Sequence, residues 1–224
     1  MIRIVIHGIT GKMGGYLFNV LKGHDEIEVV AGICQTLRPN FPVPLYTTLE
    51  ACLLNEDFDL LVDFSHYPQC LDAIKQALMH GKSVVSGTTG YKLYDGQHLS
   101  YLAEKYDAGI IVSPNFSLSE DFINFLLTCA EQYPYIYISE SHSIQKKDQP
   151  SGTAKFLARL LKVKSEHIFA YRLPNVLAHH TILFANDIEQ LEIKHQTASR
   201  DAFVSGIVKA IKTLSKENVV NVRM

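Results

Sequence analysis

The chain has 224 residues, of which 47% are hydrophobic, and its 21 basic side chains nearly balance its 23 acidic ones. This balance excludes the overall positive field of a nucleic-acid-binding protein and the acidic tail of a solvating one. Apolar runs fall short of the roughly 18 residues of a membrane span, and the start lacks the pattern of a secretory signal. We therefore expect a cytoplasmic protein of one large or two modest domains, with neither a membrane nor a nucleic-acid partner.

The first half of the chain alternates predicted strands with predicted helices. β-branched apolar runs predict strands over residues 1–6, 27–33, 60–64, 83–85 and 110–112. Apolar residues at helical spacing predict helices over residues 13–21, 69–79 and 98–106. Such alternation is typical of an α/β protein, in which a parallel sheet is covered by helices on both faces.

The pattern changes after residue 114. Helices are predicted over residues 120–131, 152–161 and 202–214, and strands over 135–142, 168–173, 181–185 and 191–196. Strands separated by short turns favour an open antiparallel or mixed sheet, and hence a second domain. The last helix could belong to either domain on this pattern alone.

Three glycines directly follow the first predicted strand, in the sequence G-I-T-G-K-M-G. Gly8, Gly11 and Gly14 let the backbone approach a pyrophosphate, whose charge the free N–H groups of the following helix can meet. A mere tight turn is the alternative. The position between a strand and an amphipathic helix favours a dinucleotide-binding turn.

The acidic residue that would hold the adenosine ribose is missing at the end of the second predicted strand. Gln35 takes its place, and Arg38 lies three residues further on. Without a carboxylate the 2′-phosphate of NADPH is not repelled, and Arg38 could pair with it. Alternatively, Gln35 binds a ribose hydroxyl and Arg38 is merely solvated. The pattern therefore leaves NADH and NADPH both open.

Two further loops follow predicted strands, G-T-T-G at residues 87–90 and S-P-N-F-S at residues 113–117. Each could be a plain turn. In an open parallel sheet, however, ligands bind at the carboxyl ends of the strands. Both loops are therefore candidates for cofactor contacts.

The stretch E-S-H-S-I-Q-K-K-D-Q-P-S-G-T-A, residues 140–154, combines an imidazole, two ammonium groups and a helix start. The imidazole of His142 can give or take a proton. Lys146 can pair with a carboxylate or donate a proton, and Asp148 can hold its ammonium in place. The helix start at Gly152 and Thr153 predicts backbone N–H groups that can bind a carboxylate. The combination predicts proton transfer to an anionic substrate.

The cysteines and the remaining histidines favour no metal site. The four cysteines lie far apart without a C-x-x-C pair, which predicts reduced, buried thiols. Neighbours such as His179 and His180 would point to opposite faces of a strand, which argues against a shared metal.

Six motifs, in order along nearly the whole chain, resemble those of the dihydrodipicolinate reductase family. They are G-I-T-G-K-M-G at residues 8–14, D-F-S at 63–65, G-T-T-G at 87–90, P-N-F-S at 114–117, K-x-D-x-P-S-G-T-A at 146–154 and T-A-S-R at 197–200. The fifth is the most specific, whereas many dehydrogenases share the glycine turn. The resemblance implies that NADH or NADPH reduces a cyclic dicarboxylate to tetrahydrodipicolinate, in the diaminopimelate route to lysine, on a homotetramer.

The resemblance also implies an architecture. A Rossmann-type parallel-sheet domain for the dinucleotide takes residues 1–114 with roughly 207–224. An α+β domain with an open mixed sheet, for substrate binding and oligomerisation, takes residues 115–206.

The resemblance assigns roles to individual residues. It implies that His142 is the catalytic acid/base and Lys146 the proton donor, although the residues themselves leave open which of the two gives the proton. Implied substrate contacts are Ser143, Gly152 and Thr153. Implied cofactor contacts are Gly8, Ile9, Thr10, Gly11, Lys12, Met13, Gly87, Thr88, Thr89, Ser113, Pro114, Asn115 and Phe116, to which the residues themselves add Gln35 and Arg38 as candidates.

One departure from the family pattern keeps other functions open. Relatives commonly have a second histidine after the catalytic one, and here that position is Ser143. Its hydroxyl can still bind a carboxylate but carries no charge. A related dehydrogenase for another amino-acid-derived dicarboxylate is therefore an alternative, as is a non-catalytic protein that senses NAD(P).

Overall fold

The computed structural model describes residues 1–223, which form two compact units. The first comprises Met1–Pro114 and the segment from Ile207 onward, and the second comprises Asn115–Gly206. Each unit has its own hydrophobic core. The last residue of the expected range 207–224, Met224, lies outside the described residues. Between residues 1 and 223, no helix has the length and apolar character needed to cross a membrane.

In the part of the chain that the structure describes, the first unit is built on a seven-stranded sheet in which every strand pair is parallel. Its strands are β1 (Ile2–His7), β2 (Ile27–Ile33), β3 (Leu45–Tyr46), β4 (Leu60–Asp63), β5 (Ser83–Ser86), β6 (Ile110–Val112) and β11 (Val220–Val222). They lie in the order β3-β2-β1-β4-β5-β6-β11. The middle strands β4 and β5 are buried along their whole length, which matches the apolar run at residues 60–62 of β4 and the apolar and small residues of β5.

Helices connect these strands. They are α1 (Lys12–Leu21), α2 (Leu49–Asn55), α3 (Cys70–Met79) and α4 (Leu93–Lys105), while α7 (Asp201–Leu214) starts in the residues of the second unit and ends in those of the first. Cysteines 34, 52, 70 and 129 are unbonded and buried, as the sequence predicted.

Sequence patterns missed β3, α2 and β11 and placed the start of α4 too late. The two missed strands have only two and three residues, too few for a periodic pattern. Helix α4 begins at Leu93 rather than at residue 98, because the Asp95 carboxylate accepts the Lys92 N–H at 2.8 Å and caps the helix there. Leu93 and Tyr94 are more than 70% exposed, so the first turn has no amphipathic pattern to detect.

The second unit contains a mixed sheet. Its strands β7 (Tyr135–Ser143), β8 (Ile168–Leu173), β9 (Ala178–Ala185) and β10 (Gln190–Thr197) lie in the order β10-β9-β7-β8. Strands β7 and β8 are parallel, and the other pairs are antiparallel. Helices α5 (Glu120–Gln132) and α6 (Gly152–Leu160) share a core with one face of this sheet. The predicted α/β class, with a parallel sheet and a separate mixed sheet, is confirmed.

Two glycines make the turn between β1 and α1 possible. Gly8 has a φ angle of +81°, a conformation that residues with a Cβ rarely adopt. A Cβ on Gly14 would lie 2.2 Å from the carbonyl oxygen of Gly8, whereas a Cβ on Gly15 would lie 3.2 Å from that of Ile9. Only glycine at position 14 therefore lets α1 approach the turn this closely.

Replacing Gly14 by alanine is expected to destabilise the protein by up to about 2 kcal/mol, because overpacking costs about 1–3 kcal/mol and the gain in helix propensity offsets only about 1 kcal/mol. Gly15→Ala, one residue along the same helix, is the matched control and should remain close to wild type. Urea unfolding followed by circular dichroism measures both. Equal unfolding midpoints for the two variants would contradict the close packing at Gly14.

Candidate active site

The glycine turn joins β1 to α1 through backbone hydrogen bonds. The Gly8 N–H donates to the Ile33 carbonyl oxygen at 2.8 Å, and the Gly11 N–H donates to the Gly8 carbonyl oxygen at 2.9 Å. Helix α1 then begins at Lys12, and its cap residue has no side chain that could bond the first N–H groups. A helix N-terminus without a side-chain cap carries a partial positive charge and N–H groups that can bind a phosphate.

The side chains within the turn differ in exposure. Ile9 is completely buried, and a Cβ on Gly32 would lie only 2.5 Å from its Cγ2. Ile9 can therefore contribute to a cofactor contact only through its backbone. Thr10, Lys12 and Met13 are exposed or partly exposed.

The residues that bear on cofactor choice lie beyond the end of β2. Gln35 and Arg38 are both exposed, and Arg38 Nη2 donates to the Thr10 carbonyl oxygen at 3.4 Å. This contact brings a guanidinium to the glycine turn, and residues 34–38 contain no carboxylate. Since guanidinium groups form charge-assisted hydrogen bonds with phosphate, the turn fits a dinucleotide that carries an additional phosphate.

A buried carboxylate ties the ends of β1, β4 and β5 together. Asp63 is fully buried and accepts hydrogen bonds from the hydroxyls of Ser65 at 2.6 Å and Ser86 at 2.8 Å, with His7 Nδ1 3.0 Å away. Burial alone would raise the pKa of Asp63, but the hydrogen bond and charge of His7 outweigh it and lower the pKa. Sequence reasoning gave Asp63 no role beyond its place in the D-F-S motif.

The other predicted cofactor segments follow β5 and β6. Ser86 joins them, since its Oγ accepts the Thr88 N–H at 3.3 Å and its carbonyl oxygen accepts the Ser113 N–H at 3.0 Å. These strand ends lie along one edge of the parallel sheet. The remaining predicted members of these segments within the first unit are Gly87, Thr89 and Pro114.

The last two predicted cofactor residues, Asn115 and Phe116, belong to the second unit. The Asn115 side-chain oxygen accepts the Ser117 N–H at 3.0 Å and the Ser117 hydroxyl at 2.6 Å. Ser119 then caps α5 by accepting the Phe122 N–H at 3.1 Å. Asn115 therefore shapes the turn that leads into α5.

In the second unit, His142 lies near the end of β7, on the sheet face that the helices cover. It is 7% exposed, and its Nδ1 is hydrogen-bonded to the carboxylate of Glu140, two residues earlier on the same face. An ionised carboxylate only accepts hydrogen bonds, so Nδ1 of His142 carries a hydrogen. Nε2 is therefore the ring nitrogen that is chemically able to exchange a proton with a ligand.

Glu140 joins several elements at one buried point. Its carboxylate accepts hydrogen bonds from Arg172 Nη1 at 3.1 Å, from Arg172 Nη2 at 3.0 Å and from the Ser151 N–H at 3.0 Å. Burial alone would raise the pKa of Glu140, but the hydrogen bonds from His142 and Arg172 outweigh burial and hold the pKa at about 2. Glu140 therefore remains ionised at neutral pH.

The loop between β7 and α6 carries a second ion pair. Lys146 Nζ lies 2.8 Å from Asp148 Oδ1, as the sequence predicted, and the Gly152 N–H donates to Asp148 Oδ2 at 3.2 Å. Burial alone would raise the pKa of Asp148, but the Lys146 hydrogen bond and charge outweigh it and lower the pKa. An ammonium and a helix N-terminus thus converge on one carboxylate.

A second imidazole, His180 of β9, contacts His142 from the side. The two ring centres are 5.2 Å apart in an edge-on arrangement, and His180 is 1% exposed. Burial lowers the pKa of His180 to about 3, with a smaller contribution from His142, so His180 is neutral. The Ser151 hydroxyl lies 3.3 Å from His180 Nε2 while it accepts the Ala154 N–H at 3.2 Å, so that hydroxyl is free to donate to the ring.

The structure brings His142, Lys146, Gly152 and Thr153 into one loop and helix start, around Glu140. Ser143 differs, because alternation along β7 puts its side chain on the face opposite His142. Its hydroxyl accepts the Gln145 N–H at 3.3 Å, and its carbonyl oxygen accepts the Lys146 N–H at 2.9 Å. Ser143 therefore stabilises the turn that presents Lys146.

Sequence reasoning missed Glu140, Arg172 and His180. Glu140 and His142 are two residues apart on a predicted strand, and this spacing was the available signal, since it places them on one face. The other two are on different strands and had no local signal. The direct hydrogen-bond partner of His142 is thus a carboxylate from its own strand.

Comparison with known proteins gives matches along the whole chain. Family models described as dihydrodipicolinate reductase, N-terminus and C-terminus, match residues 2–116 and 116–224. A 4-hydroxy-tetrahydrodipicolinate reductase from Halalkalibacterium halodurans is 30% identical and aligns over 96% of this chain and 94% of its own. A relative of the same name from Streptococcus uberis is 29% identical over 97% of this chain and 95% of its own.

A solved structure agrees with these matches. Dipicolinate-bound dihydrodipicolinate reductase from Paenisporosarcina sp. TG-14 covers 98% of this chain and 96% of its own, with a TM-score of 0.79 at 26% identity. The interpretation as a non-catalytic cofactor-sensing protein is therefore wrong, and the expected nicotinamide cofactor is confirmed. The chain belongs to the dihydrodipicolinate reductase family, whose members are NAD(P)H-dependent oxidoreductases in the diaminopimelate route of lysine biosynthesis.

Proposed function

We propose that the first unit binds NADH or NADPH and that the second binds and protonates 4-hydroxy-tetrahydrodipicolinate during its reduction to tetrahydrodipicolinate. In this proposal Lys146 and the start of α6 hold a carboxylate of the cyclic substrate. The bound nicotinamide supplies the hydride. The loop around His142 and Lys146 supplies the proton, and the 4-hydroxyl group of the substrate leaves as water.

The position of Asp148 is the observation that carries this proposal. One carboxylate accepts from both Lys146 Nζ and the Gly152 N–H, at 2.8 and 3.2 Å. These two donors are therefore already spaced for a single carboxylate group. A substrate carboxylate has the same chemistry, and Thr153 in the first turn of α6 offers further donors to it.

Two residues can deliver the proton, and each of them is held by a different carboxylate. Lys146 is held by Asp148 and offers an ammonium hydrogen next to the proposed carboxylate site. His142 is held at Nδ1 by Glu140 and exchanges protons at Nε2. We propose that Lys146 protonates the substrate and that His142 acts as the second acid/base, in line with the family resemblance.

The residues that would hold the cofactor lie in the first unit and at the start of the second. The glycine turn from Gly8 to Met13 is proposed to bind the pyrophosphate, and Arg38 the 2′-phosphate when NADPH is used. Gln35 can bind a ribose hydroxyl through its amide. The further proposed contacts are Gly87, Thr88, Thr89, Ser113, Pro114, Asn115 and Phe116.

The expected contact between Ser143 and the substrate stays a prediction. Its hydroxyl accepts a backbone N–H in the turn, yet it retains a hydrogen to donate. A hydroxyl provides one neutral hydrogen bond where relatives commonly provide an imidazole. Substrate binding in this chain therefore depends more heavily on Lys146 and the start of α6.

An exposed apolar sheet face supports the proposed homotetramer. On the face of the second sheet opposite the helices, Phe169, Tyr171 and Leu173 of β8 are about half exposed, and Tyr135 of β7 is exposed to a similar degree. Exposed apolar faces of this kind commonly mark contacts between protein chains. We propose that copies of this chain associate through this face.

The activity itself has a direct test. Purified protein, given the condensation product of pyruvate and aspartate semialdehyde, should oxidise NADH or NADPH in a substrate-dependent manner. Absorbance of the reduced nicotinamide measures the rate. If neither cofactor is oxidised above the substrate-free rate, the proposed function is wrong.

Removing the Lys146 ammonium is expected to lower kcat/KM by about 10²–10⁴, the usual contribution of an acid–base group. Lys147→Ala is the matched control, because Lys147 is the adjacent, exposed lysine, and it should remain close to wild type. Partial rescue of Lys146→Ala by added methylamine would support proton donation. Turnover of Lys146→Ala within about twofold of wild type would refute the assignment.

Replacing Arg38 by alanine is expected to raise the KM for NADPH by about tenfold or more, since hydrogen bonds between charged groups contribute about 1.5–3 kcal/mol. NADH is the internal control, because it lacks the 2′-phosphate, and its KM should change little. In the wild type we expect no strong discrimination against NADPH. A large NADH preference in the wild type, or equal effects of Arg38→Ala on both cofactors, would contradict this role.

A charge on the exposed sheet face should disrupt assembly. Tyr171→Lys is expected to shift the protein from tetramer to smaller species in size-exclusion chromatography with light scattering. Phe125→Lys is the control, because Phe125 is also 50% exposed but lies on α5. A wild-type monomer, or an unchanged tetramer in Tyr171→Lys, would exclude assembly through this face.

A further inference from the structure

We propose that Arg172 is a positioning residue that balances the charge of Glu140, limits the proton affinity of His142 and fixes the backbone around Lys146. This inference deepens the proposed function and rests on its assignment of the proton-transfer site to this loop. It assigns a role to a strand that lies outside every sequence motif of the family resemblance.

The contacts of Arg172 reach both halves of the site. Its Nη1 and Nη2 bind the Glu140 carboxylate as a pair, at 3.1 and 3.0 Å. Its Nε donates to the Lys146 carbonyl oxygen at 3.2 Å, and Nη2 also donates to the Asp148 carbonyl oxygen at 2.5 Å. One planar guanidinium therefore links the partner of His142 to the backbone that carries Lys146 and Asp148.

Arg172 and His142 share one oxygen atom. Oε2 of Glu140 accepts from both Arg172 Nη1 and His142 Nδ1. A carboxylate beside an imidazole favours the charged imidazolium, whereas a nearby cation disfavours it. With Arg172 present, the Glu140–Arg172 pair has no net charge, so His142 faces a neutral pair rather than an uncompensated carboxylate.

The other groups around His142 are neutral or paired with each other, so they do not balance the charge of Glu140. Strand β9 contributes His180, which is neutral. The loop contributes Lys146 and Asp148, which form a pair of opposite charges 2.8 Å apart. Helix α6 contributes the uncharged Ser151 and its N–H. Arg172 is therefore the cation that directly compensates Glu140.

The test is a pH titration of His142 by NMR in the full-length protein labelled with ¹⁵N-histidine, together with kcat/KM profiles. Signals of His142 are assigned by their loss in His142→Gln. Arg172→Met should move the titration midpoint of His142 upward by about one pH unit or more, and Glu140→Gln should move it downward. The two substitutions are thus expected to shift the titration midpoint in opposite directions, which a general loss of packing would not do.

Three comparisons keep the result interpretable. Arg172→Lys retains the charge but not the paired geometry, so its midpoint shift should be smaller than that of Arg172→Met while kcat still falls severalfold. Arg159→Met removes an exposed arginine from α6 of the same unit and should leave the midpoint in place. If Arg172→Met does not fold, the smaller upward shift in Arg172→Lys and the downward shift in Glu140→Gln still decide the question.

The outcomes separate this inference from the proposed function. A midpoint that stays within about 0.3 pH units in both Arg172→Met and Glu140→Gln would overturn the inference, against the full unit expected. The NMR titration does not depend on turnover, so it decides the point even if the wild type lacks reductase activity. Absence of that activity would instead refute the proposed function.

Discussion

The second unit depends on one buried charge, the carboxylate of Glu140. Removing an ion from water costs several kcal/mol unless well-placed partners replace its hydration. Glu140 is 2% exposed, so the partners must come from the protein. They come from three elements: His142 of its own strand, Arg172 of β8 and the Ser151 N–H at the start of α6. The register of β7 with β8 and the position of α6 are thereby fixed by one charge.

The first unit also has a buried carboxylate with several hydrogen-bond partners at the ends of its strands. Asp63 is fully buried, and it is matched by His7 and by the hydroxyls of Ser65 and Ser86. In each unit, apolar strands end at a carboxylate that holds a histidine. The difference lies in the third partner, since Asp63 has neutral hydroxyls whereas Glu140 has a guanidinium. In the second unit a guanidinium, which is charged at any physiological pH, compensates the carboxylate beside the residues proposed to transfer protons.

Much of the fold could be predicted because its signals are local. Buried parallel strands are continuous apolar runs, and the glycine turn is contained in seven consecutive residues. Strand β3 and the start of helix α4, which escaped prediction, lack such signals. Strand β3 has two residues. Helix α4 begins with Leu93 and Tyr94, both exposed, and its start is fixed by the Asp95 cap rather than by apolar spacing.

The residues of the candidate site also divide into those with a local sequence signal and those without one. His142, Lys146 and Gly152 lie within a dozen residues, so their types and spacing were enough to nominate them. Arg172 is 32 residues from Glu140, and His180 is 29 residues from Ser151. Their contacts exist only because β8 and β9 flank β7 in the sheet. Sequence reasoning therefore found the groups proposed to exchange protons, but it missed Arg172, which is proposed to balance the charge of Glu140, and His180, which contacts His142.

The loop chemistry also constrains how a dicarboxylate can bind. Asp148 accepts from Lys146 and from the Gly152 N–H, so these donors are paired before any substrate arrives. A substrate carboxylate that uses them has to share them with Asp148 or replace it. Its binding free energy is then the difference between two similar carboxylate contacts, not the full strength of one. The Lys146 ammonium is therefore already compensated by Asp148.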